Sequence, residues 1–206
     1  MMTESTDAAA RSVTNTTTAI RPRSIALVAV FAALIAVAAI VPGIPVGSVG
    51  VPITLQTLAV MLTGLCLGPL RGGLAVLLYL VIGFVGFPVF SKGQSGLGVL
   101  AGPSAGYLVA FLLAAVVVGF AATRVVRRRP AVWAPLFFVA AMLTSIVFVH
   151  GLGVLGMVLN ADLSLANAFK ADLVFYPGDV IKNLVAASAA AAVHRAFPDL
   201  LARRPR

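Results

Sequence analysis

Residues 54–87, TLQTLAVMLTGLCLGPLRGGLAVLLYLVIGFVGF, contain a single charged residue, Arg71. They read as two apolar segments, 54–67 and 72–87, with Arg71 in the turn between them. A straight helix needs about 20 residues to cross the hydrocarbon core of a bilayer. Both segments fall short of that length. They are therefore expected to be bounded by loops that dip into the protein.

Four further apolar segments flank this pair, at 24–41, 104–125, 131–159 and 178–197. The whole chain of 206 residues is 61% hydrophobic and only 10% charged. A soluble domain carries about 25% charged residues. Apolar runs this long and numerous do not fit a soluble core. The expected fold is an all-α membrane protein with six transmembrane helices, seated in the cell membrane.

Charge sets the expected orientation. The formal net charge is +9, a balance that in a soluble chain would raise nucleic-acid binding. Here the basic residues sit mostly at the ends of apolar runs, so topology explains them better and no nucleic-acid partner is expected. If six helices alternate, Arg11, Arg21, Arg23, Arg71, Arg124, Arg127, Arg128, Arg129, Arg195, Arg203, Arg204 and Arg206 share one side. Lys92 and Lys170 take the other, and Lys182 lies in or near the membrane. Positive-inside bias then puts both termini in the cytoplasm. Seven helices would break the partition. The chain divides into a disordered Thr/Ser/Ala-rich cytoplasmic tail (1–23), a six-helix membrane domain (24–197) and a basic cytoplasmic tail (198–206). No A-x-A-type site follows the first apolar run, so no cleavage is expected there.

The external loops then become 42–53, 88–103 and 160–177. The first two, PGIPVGSVGVPI and PVFSKGQSGLGVLAGP, are rich in Gly and Pro yet strongly apolar. Non-helical backbone at membrane depth survives only where it is buried in protein or lines a cavity. These Gly/Pro-rich loops are expected to cap a ligand pocket open to the outside, although simple connectors would share the composition.

Several motifs carry less than their form promises. Gly151, Gly153 and Gly156 spell G-x-G-x-x-G, but no strand–helix context surrounds them. Close helix packing explains the glycines better. His150 lies in the same segment. An intramembrane ionisable residue is a functional candidate, but a neutral imidazole hydrogen-bonded to a neighbouring helix is the plainer account. No ligand set at metal spacing accompanies it. The single cysteine, Cys66, is expected to be a small buried hydrophobe. The chain contains no G-x-S-x-G elbow and no P-loop. In the first segment, Ala29/Ala33 and Ala32/Ala36 form two small-xxx-small ridges. Either can pack internally or dock a separate membrane subunit.

The charged pair of FYPGDVIKN (175–183) stands out. Asp179 and Lys182, at i and i+3, share one helix face. Charges at mid-helix cost about 2.5–3.5 kcal/mol on insertion scales. Near the outer end of the last segment that cost falls, and a start at Pro177-Gly178 supplies free backbone N–H groups. An ion pair that pins the helix is one account. A polar anchor for a ligand with donors and acceptors is the other, with Phe169, Phe175 and Tyr176 close in sequence.

The stretches VPITLQTLAVMLTGLCLGPLRGG (51–73), LYLVIGFVGFPVFSKGQSGLGVLAGPSAGYL (78–108) and FYPGDVIK (175–182) resemble the BioY family. Its members are the biotin-binding S components of energy-coupling factor importers. The resemblance runs in order over roughly 26–192. It implies six membrane helices with an outer biotin pocket and a substrate-binding role for Asp179 and Lys182. Chemically, Asp179 suits ureido N–H donors and Lys182 a carbonyl or carboxylate. The same motifs implicate Gln56, Phe90, Ser95, Tyr107 and Tyr176 as further biotin contacts. The implied partners are biotin, a transmembrane coupling protein and ATP-binding subunits, with Ala29, Ala32, Ala33 and Ala36 as candidate docking positions. No cofactor is implied. Two departures lie in the expected cap: SKGQSG, with Lys92 and Gln94, follows P-V-F, and PSAGY stands where relatives often have P-T-G-G-Y. An S component for another vitamin, or an intramembrane enzyme using Asp172, Asp179 or His150, are the alternatives.

The topology has a direct test. On a Cys66→Ala background, a membrane-impermeant thiol reagent is expected to label a cysteine placed at position 92 in intact cells, and not one at position 128. Reversed labelling would invert the orientation.

Overall fold

The computed structural model describes residues 22–46 and 50–201. Most of both expected tails lies outside the described residues. The described part is mostly helical: α1 (Pro22–Ile40), α2 (Gln56–Val85), α3 (Ala105–Val125), α4 (Trp133–Thr144), α5 (Gly151–Asn160), α6 (Leu165–Asp172) and α7 (Tyr176–Ala196). A π-helical turn, Ser145–His150, joins α4 to α5 without a break in the helical path. No strand occurs among the described residues; one antiparallel bridge joins Ile44 and Ile53. Among the described residues, four helical stretches are long and apolar enough to cross a membrane: Pro22–Ile40, Gln56–Val85, Ala105–Val125 and Pro130–Asn160. The chain is thus a multi-pass membrane protein.

The 30-residue α2 is not one rod. Gly68 has φ 77° and ψ −177°, and Pro69 follows it. Gly reaches that conformation without a Cβ penalty, and Pro starts the next turn with no N–H to satisfy. The two arms then fold back on each other. Gln56 Nε2 donates to the Tyr79 hydroxyl at 2.8 Å, whereas 23 residues of straight helix would separate them by about 34 Å. A Cβ on Gly72 would stand 3.1 Å from Gly64 Cα, so the arms touch just beyond the turn. The expected loop around Arg71 is therefore a one-residue break, and Arg71 belongs to the second arm. Its guanidinium donates to the carbonyl of Leu200, which lies in the 3₁₀ turn Pro198–Leu200.

Small residues set the helix spacing. α3 crosses the hairpin turn at Gly119, where a Cβ would meet Gly68 C at 2.6 Å. α3 meets α5 through Gly106 and Gly156, and Gly153 lies under the Tyr107 ring. Two of the three G-x-G-x-x-G glycines, Gly153 and Gly156, are thus packing contacts, whereas Gly151 is exposed. Ala186, Ala187, Ala190 and Ala191 bring α7 into the core. Cys66 is fully buried. Large apolar side chains such as Leu70, Val81, Val85, Val109 and Phe120 point outward instead. That inversion of the soluble pattern matches a lipid environment.

Three expectations need correction. The segment 160–177 is not a loop but α6 followed by the 3₁₀ turn Leu173–Phe175. Ser164 caps α6, its hydroxyl accepting from the Asn167 N–H at 3.3 Å, as N-cap serines do. The last helix begins at Tyr176 rather than 178, because Pro177 is compatible with a first turn. In α1 the two Ala ridges differ. Ala32 is 3% exposed and Ala36 packs on the core, so that ridge serves the chain's own packing. Ala29 and Ala33 are exposed.

Gly106→Val is expected to destabilise the fold by about 3 kcal/mol or more, since the new side chain collides with the Leu152 carbonyl and overpacked helix contacts cannot relax cheaply. Gly98→Ala, with no neighbour within 4 Å, is the matched control. Thermal melts in detergent read both; equal melting temperatures would refute the close-contact account.

Candidate functional site

The N-terminal parts of three helices meet at one end of the bundle: α2 at Gln56–Thr57, α3 at Tyr107 and α7 at Asp179–Lys182. Helix N-termini carry free N–H groups and partial positive charge, which favour carboxylates. Asp179 and Lys182 are both buried, and Lys182 Nζ stands 2.8 Å from Asp179 Oδ1. Thr57 bridges them. Its hydroxyl donates to Asp179 Oδ1 at 3.1 Å and accepts from Lys182 Nζ at 3.3 Å. The pair is therefore tied to the hairpin as well as to its own helix.

Behind it lies a second carboxylate. Asp172, the last residue of α6, is fully buried. It accepts from the Tyr107 hydroxyl at 2.6 Å. His150 stands between the two acids, with Nδ1 3.0 Å from Asp172 and Nε2 3.4 Å from Asp179. Its ring stacks on Tyr176, with centroids 4.1 Å apart. The expectation that His150 bonds a neighbouring helix describes half of this arrangement, because both ring nitrogens are engaged.

A cavity opens onto the pair. It takes in about 630 Å³ of space, the open solvent at its mouth included. Val51, Val99, Leu108, Phe111, Val149 and Phe175 give apolar walls, while Thr54, Gln56, Thr57, Gln94 and the charged pair give polar ones. Both Gly/Pro-rich stretches contribute to the lining: 50–54 through Val51 and Pro52, and 88–103 through Phe90, Ser91, Gln94 and Val99. Phe90 is held edge-on by Tyr79 and Phe84. A second, outer depression shares this rim and adds Lys92 and Ser95. There Lys92, at φ 60°, donates to the Gly50 carbonyl at 2.7 Å.

Of the residues singled out from the sequence, Gln56, Phe90, Tyr107, Asp179 and Lys182 line the cavity. Ser95 lies in the outer depression. Tyr176 backs His150 rather than facing the cavity. Thr57 escaped notice although it sits one residue after Gln56 in the L-Q-T motif. The grouping of Asp172 with His150 had no local signal, because it depends on α6 being a helix. The arrangement offers a compact set of donors and acceptors at the closed end of an apolar cleft.

Comparison with known proteins bears on the ligand. The BioY family profile matches residues 10–199. A protein of Rhizobium etli named biotin transporter BioY is 40% identical over 183 residues, covering 88% of this chain and 98% of that protein. A biotin transporter BioY of Rhodobacter capsulatus is 40% identical over 191 residues, with the same coverage. The crystal structure of the S-component for biotin from an ECF-type ABC transporter superposes with a TM-score of 0.79 at 28% identity, covering 84% of this chain and 91% of that one.

Proposed function

The chain belongs to the BioY family, and from that premise we propose that it is a membrane subunit that binds biotin for uptake. The observation that carries this reading is the cavity whose closed end holds Asp179, Lys182 and Thr57 within hydrogen-bonding distance of one another. Biotin has a ureido ring with two N–H donors and one carbonyl, an apolar thioether ring, and an aliphatic arm ending in a carboxylate. A polar recess at the end of an apolar cleft matches that amphipathic shape. Asp179 is the acceptor for ureido N–H groups, and Lys182 is the donor for a carbonyl or carboxylate. Gln56, Phe90 and Tyr107 complete the contacts from the walls, and Ser95 acts at the mouth.

Six crossings follow if each hairpin arm of α2 counts once and α7 is added. The charged residues that lower the apolarity of α7 support this count. Asp179, Lys182, Asn183 and His194 are buried, while Val180, Ile181, Leu184 and Val185 face outward. Basic residues support cytoplasmic termini. Arg195 donates to the Pro130 carbonyl and Arg71 to that of Leu200, at the end of the bundle away from the cavity. Uphill uptake requires a coupling membrane protein and ATP-binding subunits, since no P-loop stands in this sequence. Ala29 and Ala33 are the docking ridge left free on α1.

Purified protein is expected to retain labelled biotin, displaced by excess biotin but not by thiamine or riboflavin. Asp179→Asn or Lys182→Ala is expected to weaken retention about a hundredfold, because each leaves the buried cluster with an uncompensated charge. The Asp179→Ala/Lys182→Ala double variant removes that penalty. Wild-type binding by the double variant would reduce the pair to a structural clamp.

Docking is tested separately. Ala33→Trp is expected to abolish co-purification with coupling subunits and leave biotin binding intact, whereas Ala32→Trp should lower both by disturbing the core. Unchanged co-purification with Ala29 and Ala33 both replaced by Trp would remove α1 as the docking face.

A further inference from the structure

We propose that His150 is an imidazolium clamped between two buried carboxylates, and that with Asp172 it forms a positioning pair that holds Asp179 for the ligand. The argument is geometric. A neutral imidazole has one N–H donor and one bare nitrogen that only accepts. Here Nδ1 faces Asp172 at 3.0 Å and Nε2 faces Asp179 at 3.4 Å. A carboxylate oxygen is itself an acceptor, so a bare nitrogen on either side would point a lone pair at a lone pair. Protonation of both nitrogens turns the Nδ1 contact into a charge-assisted hydrogen bond and the longer Nε2 contact into an attractive ion pair.

Charge balance leads to the same state. The groups gathered around His150 are Tyr107 from α3, Asp172 from α6, and Tyr176, Asp179 and Lys182 from α7. Lys182 compensates one carboxylate through its 2.8 Å contact with Asp179. Among the described residues, His150 is the basic group that contacts Asp172. Asp172 also ends α6, where the helix dipole opposes a negative charge. An unpaired carboxylate in such a site is costly. With His150 cationic, two acids face two bases and the cluster is neutral.

The functional consequence rests on the biotin reading. Asp172 does not line the cavity, whereas His150 and Asp179 do. Asp172 therefore acts on ligand only through its neighbours. It fixes Nδ1 of His150 and the Tyr107 hydroxyl, and His150 in turn fixes Asp179 Oδ2. Asp179 Oδ1 is meanwhile taken by Lys182 and Thr57. The carboxylate plane is thus held from both sides before any ligand arrives.

The test uses the full chain in lipid, labelled with ¹⁵N on the histidine ring, with no ligand added. The His150 signals are assigned by their loss in His150→Gln. At neutral pH both nitrogens are expected to be protonated in the wild type, and one should become bare in Asp172→Asn. A bare nitrogen in the wild-type ring would overturn the charge assignment. In parallel, Asp172→Asn and His150→Gln are each expected to weaken biotin binding about tenfold, the scale of one lost hydrogen bond to a charged group. Wild-type affinity in both variants would overturn the positioning role. If the wild type binds no biotin, the proposed function fails, and the ring spectrum still decides the charge state.

Discussion

Charge buried at one end of the helix bundle constrains everything around it. Asp172, Asp179, Lys182 and His150 are all buried, in a chain that is otherwise mainly apolar. None can be left without partners in such surroundings. The partners come from separate elements: Thr57 from the hairpin, Tyr107 from α3, His150 from the π turn, and Asp172 from α6. Satisfying the charges therefore fixes the relative positions of four helices and the intervening turn. The cavity is the space left beside that network, bounded by the two Gly/Pro-rich stretches.

Such a network needs backbones that approach closely, and glycine supplies the approach. The Gly68 turn lets two short arms lie side by side, so that Gln56 and Tyr79 can bond across the hairpin. Gly106 and Gly156 let α3 meet α5 almost backbone to backbone. That contact sets where Tyr107 and His150 stand. In lipid, association is driven by close packing of this kind rather than by exclusion of water. The glycines and the charged cluster are thus parts of one arrangement, and loosening the first would misplace the second.

The sequence was legible where a signal was local. Apolar runs marked the helical segments, and the two halves of α2 were separated at the right place. Arg71 marked the turn but suggested more loop than the single Gly68 break provides, since a helix can resume at once after Gly-Pro. The P-G-D-x-x-K spacing placed Asp179 and Lys182 on one face, where they pair. Asp172 was opaque for the opposite reason. Its meaning depends on α6, a helix of only eight residues that stands outside the long apolar runs, and on contacts with His150 and Tyr107 far away in sequence. The Ala ridges of α1 looked alike in sequence because spacing does not tell which of two faces is covered. Burial separates Ala32 from Ala33.

The ends of the molecule differ in kind, and α7 joins them. At its start Asp179 and Lys182 bond Thr57 near the beginning of the first hairpin arm; near its other end the His194 ring contacts the Leu65 carbonyl at 2.9 Å, close to the Gly68 turn. Between these polar contacts, beyond Asn183, which bonds Ser145 of the π turn, the packed face of α7 is alanine. Alanine gives close approach and brings no long side chain to order. The two polar contacts therefore carry the register between α7 and the hairpin, and the alanines permit it without specifying it. An Ala stripe alone would tolerate sliding by a turn. A buried ion pair bridged by a hydroxyl would not, because sliding would strand both charges. The same side chains that equip the cavity for a polar ligand thus also define the alignment of the helices that form it.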